Sequence, residues 1–166
     1  MYADITIKAR CPDPAEVESI LQQHNADYKG LDVQTDTFYN VDYGKLKLRQ
    51  GNIENVLIHY NRFSVQGLKQ TEVLMYLKNP GSATIEEVCG SLQVMNELRK
   101  LRKIYFIDNV KFHIDQVDGQ GSFIEIEAID LDGSLGTAIL HQQCHYYKEL
   151  LQIADEDLIN DSYIDL

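Results

Sequence analysis

The chain begins with a strict alternation of apolar and polar residues. Over residues 2–10, Ile5, Ile7 and Ala9 fall on one face and polar side chains fall on the other. A period of two residues is typical of a β-strand that buries one face. Further strand-like runs follow, separated by glycine, asparagine and proline residues that favour turns. The eight predicted strands are residues 2–10, 31–40, 45–50, 56–62, 71–77, 95–107, 111–117 and 122–129.

Three other segments have the pattern of amphipathic helices. Asp13-Pro14, with Glu16 three residues after the aspartate, is a typical helix start, and Thr84 with Glu87 forms a second capping box. The predicted helices are residues 14–24, 84–92 and 135–153, with a short turn at 155–158. The predicted fold class is therefore α+β, with flanking helices around an antiparallel sheet. A sheet of eight strands normally closes or folds over itself.

Composition sets limits on this picture. A chain of 166 residues, 44% hydrophobic and 25% charged, has the size and character of one globular domain. No apolar run approaches the roughly 20 residues that span a bilayer. The first ten residues lack the layout of a signal peptide, and Cys11, Cys89 and Cys144 form no CxxC pattern. We therefore expect a cytoplasmic protein with reduced thiols and no membrane partner.

The net charge of −11 is unevenly distributed along the chain. Residues 1–40 carry −4 and residues 112–166 carry −11, whereas residues 41–111 carry +4. An acidic surface argues against nucleic acid as a partner. The basic middle segment has two interpretations: an uneven solvated surface, or a site for a small anion.

Charged side chains also recur on single faces of the predicted strands. The basic faces hold Lys8 and Arg10; Lys45, Lys47 and Arg49; and Lys100 and Arg102. The acidic face holds Glu125 and Glu127, and the strand before it carries His113 and Asp115 on one face. On any one strand such a face most simply lies in solvent. Across four strands the pattern favours an interior in which cations bind a polyanion and carboxylates bind a divalent metal.

A longer string of residues supports that second interpretation. The segment FHIDQVDGQGSFIEIE at 112–127 resembles the hairpin motif IHLDxVxGLGxFxExE of the CYTH superfamily. That superfamily groups class IV adenylate cyclases, thiamine triphosphatases and inorganic triphosphatases, and the class IV adenylate cyclase-like branch is closest in motif wording. Other matching segments are ITIKAR at 5–10, QTDTFY at 34–39, GKLKLR at 44–49, LIHYNR at 57–62, KLRKIY at 100–105 and SYIDL at 162–166.

The resemblance implies a fold and a set of roles. The fold is an eight-stranded antiparallel β-barrel with a triphosphate tunnel, formed by residues 1–166 as a single domain. The implied phosphate-binding residues are Lys8, Arg10, Lys47, Arg49, Arg62, Lys100 and Arg102. The implied ligands for Mg²⁺ or Mn²⁺ are Glu125, Glu127, Asp115 and Asp4. The residues expected to act in catalysis are Lys8, Arg49, Glu125 and Glu127.

The same resemblance implies a metal-dependent enzyme of phosphoryl or nucleotidyl transfer. Its substrate would be a small triphosphate such as ATP or tripolyphosphate. The residues do not separate a cyclase from a triphosphatase, because one tunnel serves attack by a ribose hydroxyl or by water. The family also makes a homodimer an expectation.

One departure from the family pattern leads to an alternative function. Asp4-x-Thr6-x-Lys8 stands where the family has Glu-x-Glu-x-Lys, so a neutral hydroxyl replaces a carboxylate. We expect a weaker metal site, or one metal instead of two. The alternative is a non-catalytic protein that binds a nucleotide or polyphosphate. A further alternative is a lipocalin-like barrel for an apolar ligand, which requires the charged faces to point into solvent.

Overall fold

The computed structural model describes residues 2–65 and 68–159, and there it has eight strands and three helices in the predicted order. The strands are β1 (Ala3–Arg10), β2 (Asp27–Tyr39), β3 (Lys45–Gln50), β4 (Asn55–Val65), β5 (Leu68–Lys78), β6 (Val94–Ile107), β7 (Val110–Val117) and β8 (Gly121–Asp130). The helices are α1 (Pro14–Gln23), α2 (Ser82–Cys89) and α3 (Thr137–Leu150), and a 3₁₀ turn covers Asp155–Asp157. The SYIDL motif at 162–166 lies outside the described residues.

The strands form a closed antiparallel barrel in the order β1-β5-β4-β3-β2-β6-β7-β8, which confirms the predicted fold class. Strand β1 closes the barrel by pairing with β5 on one side and with β8 on the other. In the second pairing Lys8 lies opposite Glu125, and Thr6 lies opposite Glu127. Alternate side chains of each strand point into a closed barrel, so one face of every strand becomes the wall of an interior.

The main apolar core lies outside the barrel wall. The outward faces of β1, β7 and β8 pack against α1 and α3. This core includes Ile7, Leu21, Phe112, Ile126 and Leu140, all of them buried. The alternation of β1 thus buries its apolar face against helices and directs its polar face inward. In the described part of the chain, no helix has the length and apolar character that crossing a membrane requires.

The two predicted helix starts have different outcomes. Helix α1 begins as predicted, because the Asp13 carboxylate accepts a hydrogen bond from the backbone N–H of Glu16 at 3.2 Å. The capping box predicted at Thr84 is wrong. Helix α2 begins two residues earlier at Ser82, after an N-cap at Gly81 that has no side-chain hydrogen bond. Gly81 is extended and the helix follows it directly, so Thr84 lies within the first turn and not at the N-cap.

An apolar plug, composed of Leu98, Val117 and Phe123, occupies one end of the barrel. These three residues come from the start of β6, the end of β7 and the start of β8, which antiparallel pairing brings to the same end. Ile159 packs against them. The opposite end, which we call the mouth, holds the start of β1 and the turn between β3 and β4.

We expect Phe123→Ala to lower the free energy of unfolding by about 3–5 kcal/mol, because it removes a fully buried ring (0% exposed) and leaves a cavity. Phe63→Ala is the matched control. Phe63 is 43% exposed, and its loss should cost no more than about 0.5 kcal/mol. Urea unfolding followed by circular dichroism measures both values. Equal losses in the two variants would contradict the role of the plug.

Candidate functional site

The barrel interior contains a cavity of about 650 Å³ that charged side chains line. An eight-stranded barrel has room for side chains or for one small ligand. The cavity is lined by most of the cations that the sequence singled out: Lys8, Lys47, Arg49, Arg62, Lys100 and Arg102. It is also lined by Asp4, Glu125 and Glu127. The lipocalin-like alternative is therefore wrong, because the charged faces point inward and not into solvent.

Arg10 is the predicted phosphate-binding residue that this arrangement does not bring to the cavity. It is exposed at the end of β1, where its guanidinium carbon lies 5.4 Å from the ring centre of Phe123. Phe123 belongs to the apolar plug, so Arg10 lies at the far end from the mouth. Its contact with phosphate stays a prediction.

A buried carboxylate on β2 holds two of the interior cations. Asp36 accepts hydrogen bonds from Arg49 Nε at 2.8 Å, from Arg49 Nη2 at 2.9 Å and from Lys100 Nζ at 2.6 Å. Burial by itself would raise the pKa of Asp36, but the charges of Arg49 and Lys100 outweigh it and hold the pKa well below its usual range. Asp36 is therefore an anion that links β3 and β6 through the strand between them. The sequence motif contained Asp36, but no pattern assigned it this role.

A second carboxylate holds the third cation of this wall. Arg102 donates from Nε and Nη2 to the two oxygens of Asp115, at 2.8 and 2.9 Å, and both side chains are buried. Burial raises the pKa of Asp115, but the guanidinium outweighs it and lowers that pKa to about 2. The structure thus places Asp115, a predicted metal ligand, in a bidentate pair with Arg102.

Two further charged residues at the cavity were missed by sequence reasoning. Lys111 at the start of β7 lines the cavity and pairs with Glu54. Glu54 precedes β4 and also accepts a hydrogen bond from Gln34 Nε2 at 2.8 Å. Alternation along β7 places Lys111 on the face of His113, so that signal was present. Glu54 lies in a turn, where no alternation exists to assign a face.

The carboxylates of β1 and β8 crowd together on the other side of the interior. The Tyr2 hydroxyl donates to Asp4 Oδ2 at 3.1 Å, and Lys8 Nζ lies 3.8 Å from Glu125 Oε2. Burial and the neighbouring Asp4 carboxylate raise the pKa of Glu127 well above its usual range. Two adjacent buried carboxylates need a shared proton or a cation between them.

The buried imidazole of His113 lies between two of these carboxylates. Its Nδ1 is 3.7 Å from Glu125 Oε2, and its Nε2 is 3.7 Å from Glu127 Oε1. Burial and the charge of Arg102 lower the pKa of His113 to about 3, so the ring is neutral and able to act as a ligand. His113, Asp115 and Glu125 bring one ligand atom each within 4.8 Å of one another.

The side chains between β1 and β8 offer donor atoms that fit a divalent cation. Among the residues that the structure describes, the buried polar atoms that have no hydrogen-bond partner include Asp4 Oδ1, Thr6 Oγ1 and both ring nitrogens of His113. Buried polar atoms without a partner are rare in native proteins and indicate a ligand or water. Carboxylate and hydroxyl oxygens are donors that Mg²⁺ and Mn²⁺ accept. The residues present are therefore compatible with a metal between β1 and β8.

Comparison with known proteins identifies the family. The family model for the CYTH domain matches residues 4–163. The chain belongs to the CYTH domain family. Its barrel has the triphosphate tunnel fold that the sequence resemblance implied. A provisionally named adenylate cyclase of Methanocaldococcus jannaschii is 22% identical to this CYTH protein, over 98% of this chain and 97% of its own length.

Solved structures share this CYTH barrel. A conserved hypothetical protein of Pyrococcus furiosus superposes with a TM-score of 0.80 at 17% identity and covers 98% of this chain and 99% of its own. A provisionally named adenylate cyclase of Vibrio parahaemolyticus gives 0.77 at 17% identity, over 98% and 95%. A Hippeastrum adenylyl cyclase, also provisionally named and described as having a dominant triphosphatase activity, gives 0.64 at 13% identity, over 98% and 93%. At these identities the likeness shows the fold alone.

We expect Asp36→Asn to lower the free energy of unfolding by about 3–5 kcal/mol, because it leaves two buried cations without their counter-charge. The folded pKa of Asp36 lies below the unfolded value of about 3.9. Its stabilisation is therefore present above about pH 4 and is lost as the pH falls through the folded value. The difference in stability between wild type and variant should shrink at acid pH.

Asp27→Asn is the matched control for this experiment. Asp27 forms a 2.7 Å ion pair with Lys29, but its side chain is 66% exposed. A surface pair of this kind contributes about 0–1 kcal/mol. Denaturant unfolding at pH 7 and pH 3 measures both variants. A loss for Asp36→Asn as small as that for Asp27→Asn would contradict the proposed importance of the buried pair.

Proposed function

We propose that this CYTH protein is a metal-dependent enzyme of phosphoryl or nucleotidyl transfer, acting on a small triphosphate bound in its tunnel. One observation carries the proposal: one cavity brings this set of cations together with the clustered carboxylates of β1 and β8. The proposed phosphate-binding cations are Lys8, Lys47, Arg49, Arg62, Lys100 and Arg102. The proposed catalytic residues are the cations Lys8 and Arg49 and the carboxylates Glu125 and Glu127.

Lys47 and Arg62 lie close together, and an anion between them would be favourable. Lys47 Nζ lies 5.2 Å from the ring centre of Tyr60, and the Arg62 guanidinium lies 5.5 Å from the same ring. Burial and the neighbouring charge of Arg49 lower the pKa of Lys47 well below its usual range. A phosphate group between them would offset this repulsion and favour the charged lysine.

The metal belongs to the acidic side of the cavity. Glu125, Glu127 and Asp4 would hold Mg²⁺ or Mn²⁺, which supplies positive charge to phosphate oxygens as charge develops in the transition state. Lys8 lies beside Glu125 and thus between the metal-binding carboxylates and the cations. Asp115 orients Arg102 by its bidentate pair, and it would reach a bound metal directly or through water.

Further parts of the proposal concern partners and location. The cavity volume of about 650 Å³ supports a small triphosphate such as ATP or tripolyphosphate and not a nucleic acid. The free, buried thiols of Cys11, Cys89 and Cys144 support a reducing compartment such as the cytoplasm. A single domain over residues 1–166 and a homodimer follow from the family resemblance.

The second candidate is a binding protein without catalysis. Its support is Thr6, whose buried hydroxyl lies opposite Glu127 in the pairing of β1 with β8 and has no hydrogen-bond partner among the described residues. The family pattern has a carboxylate at this position. A neutral hydroxyl weakens metal binding there without removing any cation that would bind phosphate.

We expect turnover of ATP or tripolyphosphate in the presence of Mg²⁺ or Mn²⁺. The measurement follows release of phosphate, pyrophosphate and cyclic AMP. Glu125→Gln should lower turnover at least about 100-fold, because it removes a charged ligand. Glu87→Gln, on the exposed surface of α2, should leave it unchanged.

Thr6→Glu separates the two candidate functions, because it restores the carboxylate of the family pattern. Tight binding without turnover in the wild type, together with turnover in Thr6→Glu, would establish the binding protein. Metal-dependent binding and turnover that persist in Glu125→Gln would contradict the proposed metal site.

We also expect tripolyphosphate binding to take up protons through Lys100. Burial and the charges of Arg102 and Arg49 lower the pKa of Lys100 to about 7, so near neutral pH part of the Lys100 population is neutral. A bound polyanion favours the ammonium form and raises that pKa. Calorimetric titration without metal, in two buffers of different ionisation enthalpy, measures the uptake.

Lys100→Arg is the control, because its side chain keeps a fixed positive charge. Proton uptake should fall by a fraction of a proton in this variant, while tripolyphosphate still binds. The same uptake in both proteins would show that Lys100 is already charged before the anion binds.

A further inference from the structure

The turn between β3 and β4 brings a carboxylate to the mouth of the cavity and fixes its backbone there. The buried Asp32 carboxylate accepts hydrogen bonds from the backbone N–H groups of Ile53 and Glu54, both at 2.9 Å. Gly51 packs so closely that a Cβ at this position would lie 2.4 Å from Asp32 Oδ1. The backbone of Glu54 is therefore held in place, and only its side chain is left to move.

The Glu54 carboxylate lies among four donors, which we call the mouth cluster: Gln34, Arg49, Arg102 and Lys111. Gln34 Nε2 donates to Glu54 Oε1 at 2.8 Å, and Lys111 pairs with Oε2. The Nη1 atoms of Arg49 and Arg102 each lie 3.7 Å from Oε1. The charge of Lys111 and of both arginines outweighs burial and lowers the pKa of Glu54 below its usual range. One anion therefore already occupies this cluster.

The Glu54 carboxylate does not form hydrogen bonds with all the donors of the mouth cluster. A separation of 3.7 Å is too long for a hydrogen bond. Both arginines bond a strand neighbour through Nε and Nη2, Arg49 with Asp36 and Arg102 with Asp115. Their Nη1 atoms face Glu54, and the buried Nη1 of Arg102 has no hydrogen-bond partner in the described part of the chain. A phosphate group offers three terminal acceptor oxygens and suits guanidinium donors better than a carboxylate does.

We propose that the Glu54 carboxylate is an internal competitor of the ligand: it occupies the mouth cluster until a terminal phosphate of the bound ligand takes its place. This inference rests on the proposed function, because it requires a polyphosphate in the tunnel. The exchange needs only a rotation of the Glu54 side chain, which is 24% exposed and has solvent on one side. A terminal phosphate carries more charge than the carboxylate it replaces. The exchange therefore favours polyphosphates over weakly charged anions.

The test compares Glu54→Gln with Glu97→Gln by calorimetric titration of tripolyphosphate, pyrophosphate and inorganic phosphate without metal. Glu97 makes a 3.3 Å ion pair with Arg99, is 48% exposed and lies outside the cavity lining, so its variant removes the same charge elsewhere. Glu54→Gln should bind tripolyphosphate at least about tenfold more tightly than wild type. Glu97→Gln should stay within about twofold.

Two further variants complete the test. Glu54→Asp keeps the charge but shortens the side chain, so its carboxylate reaches the cluster less well and the gain in affinity should be intermediate. Lys111→Met in the Glu54→Gln background should remove most of the gain, because the incoming phosphate loses a donor of the mouth cluster. Circular dichroism confirms that each variant folds.

The outcomes separate this inference from the proposed function. Tripolyphosphate binding in wild type with no tighter binding in Glu54→Gln overturns the exchange at the mouth cluster and leaves the triphosphate tunnel intact. Binding seen only in Glu54→Gln supports the exchange in its strongest form. Absence of tripolyphosphate binding in wild type and in Glu54→Gln overturns the proposed function and the exchange with it.

Discussion

Inside the closed barrel, Asp36 binds Arg49 from one neighbouring strand and Lys100 from the other. A cation buried without counter-charge is strongly destabilising, so an interior with this many cations exists only because carboxylates offset them. The bidentate pair of Arg102 with Asp115 extends the same arrangement to β7. Charge balance within the wall therefore supports both the fold and the cavity.

The interior contains two groups of charged residues, one that favours an added anion and one that favours an added cation. Burial, together with the charges of neighbouring arginines, lowers the pKa values of Lys47 and Lys100, which makes an added anion favourable. Asp4 and Glu127 are crowded by each other, which makes an added cation favourable. A metal-bound polyphosphate carries both charges, and it would relieve both groups at once.

The strands could be predicted closely because alternation is local. Strand β3 has the predicted bounds, since both of its ends are marked by turn residues. Strand β2 begins four residues before its predicted start, because a bulge between Tyr28 and Gly30 interrupts the alternation. The role of Asp36 could not be predicted from the sequence, because it depends on β2 pairing with both β3 and β6, and β6 is distant along the chain. Glu54 was missed because it lies in a turn, where no alternation of residues indicates which way a side chain points.

Successive residues of strand β1 face two different environments. Ile5 and Ile7 face the helices, whereas Asp4, Thr6 and Lys8 face the interior. Inserting one residue would exchange the two faces and place ionisable groups in the apolar core. A substitution at an inward position such as Thr6 therefore changes the site and leaves the core intact, whereas a change in the length of the strand disrupts both.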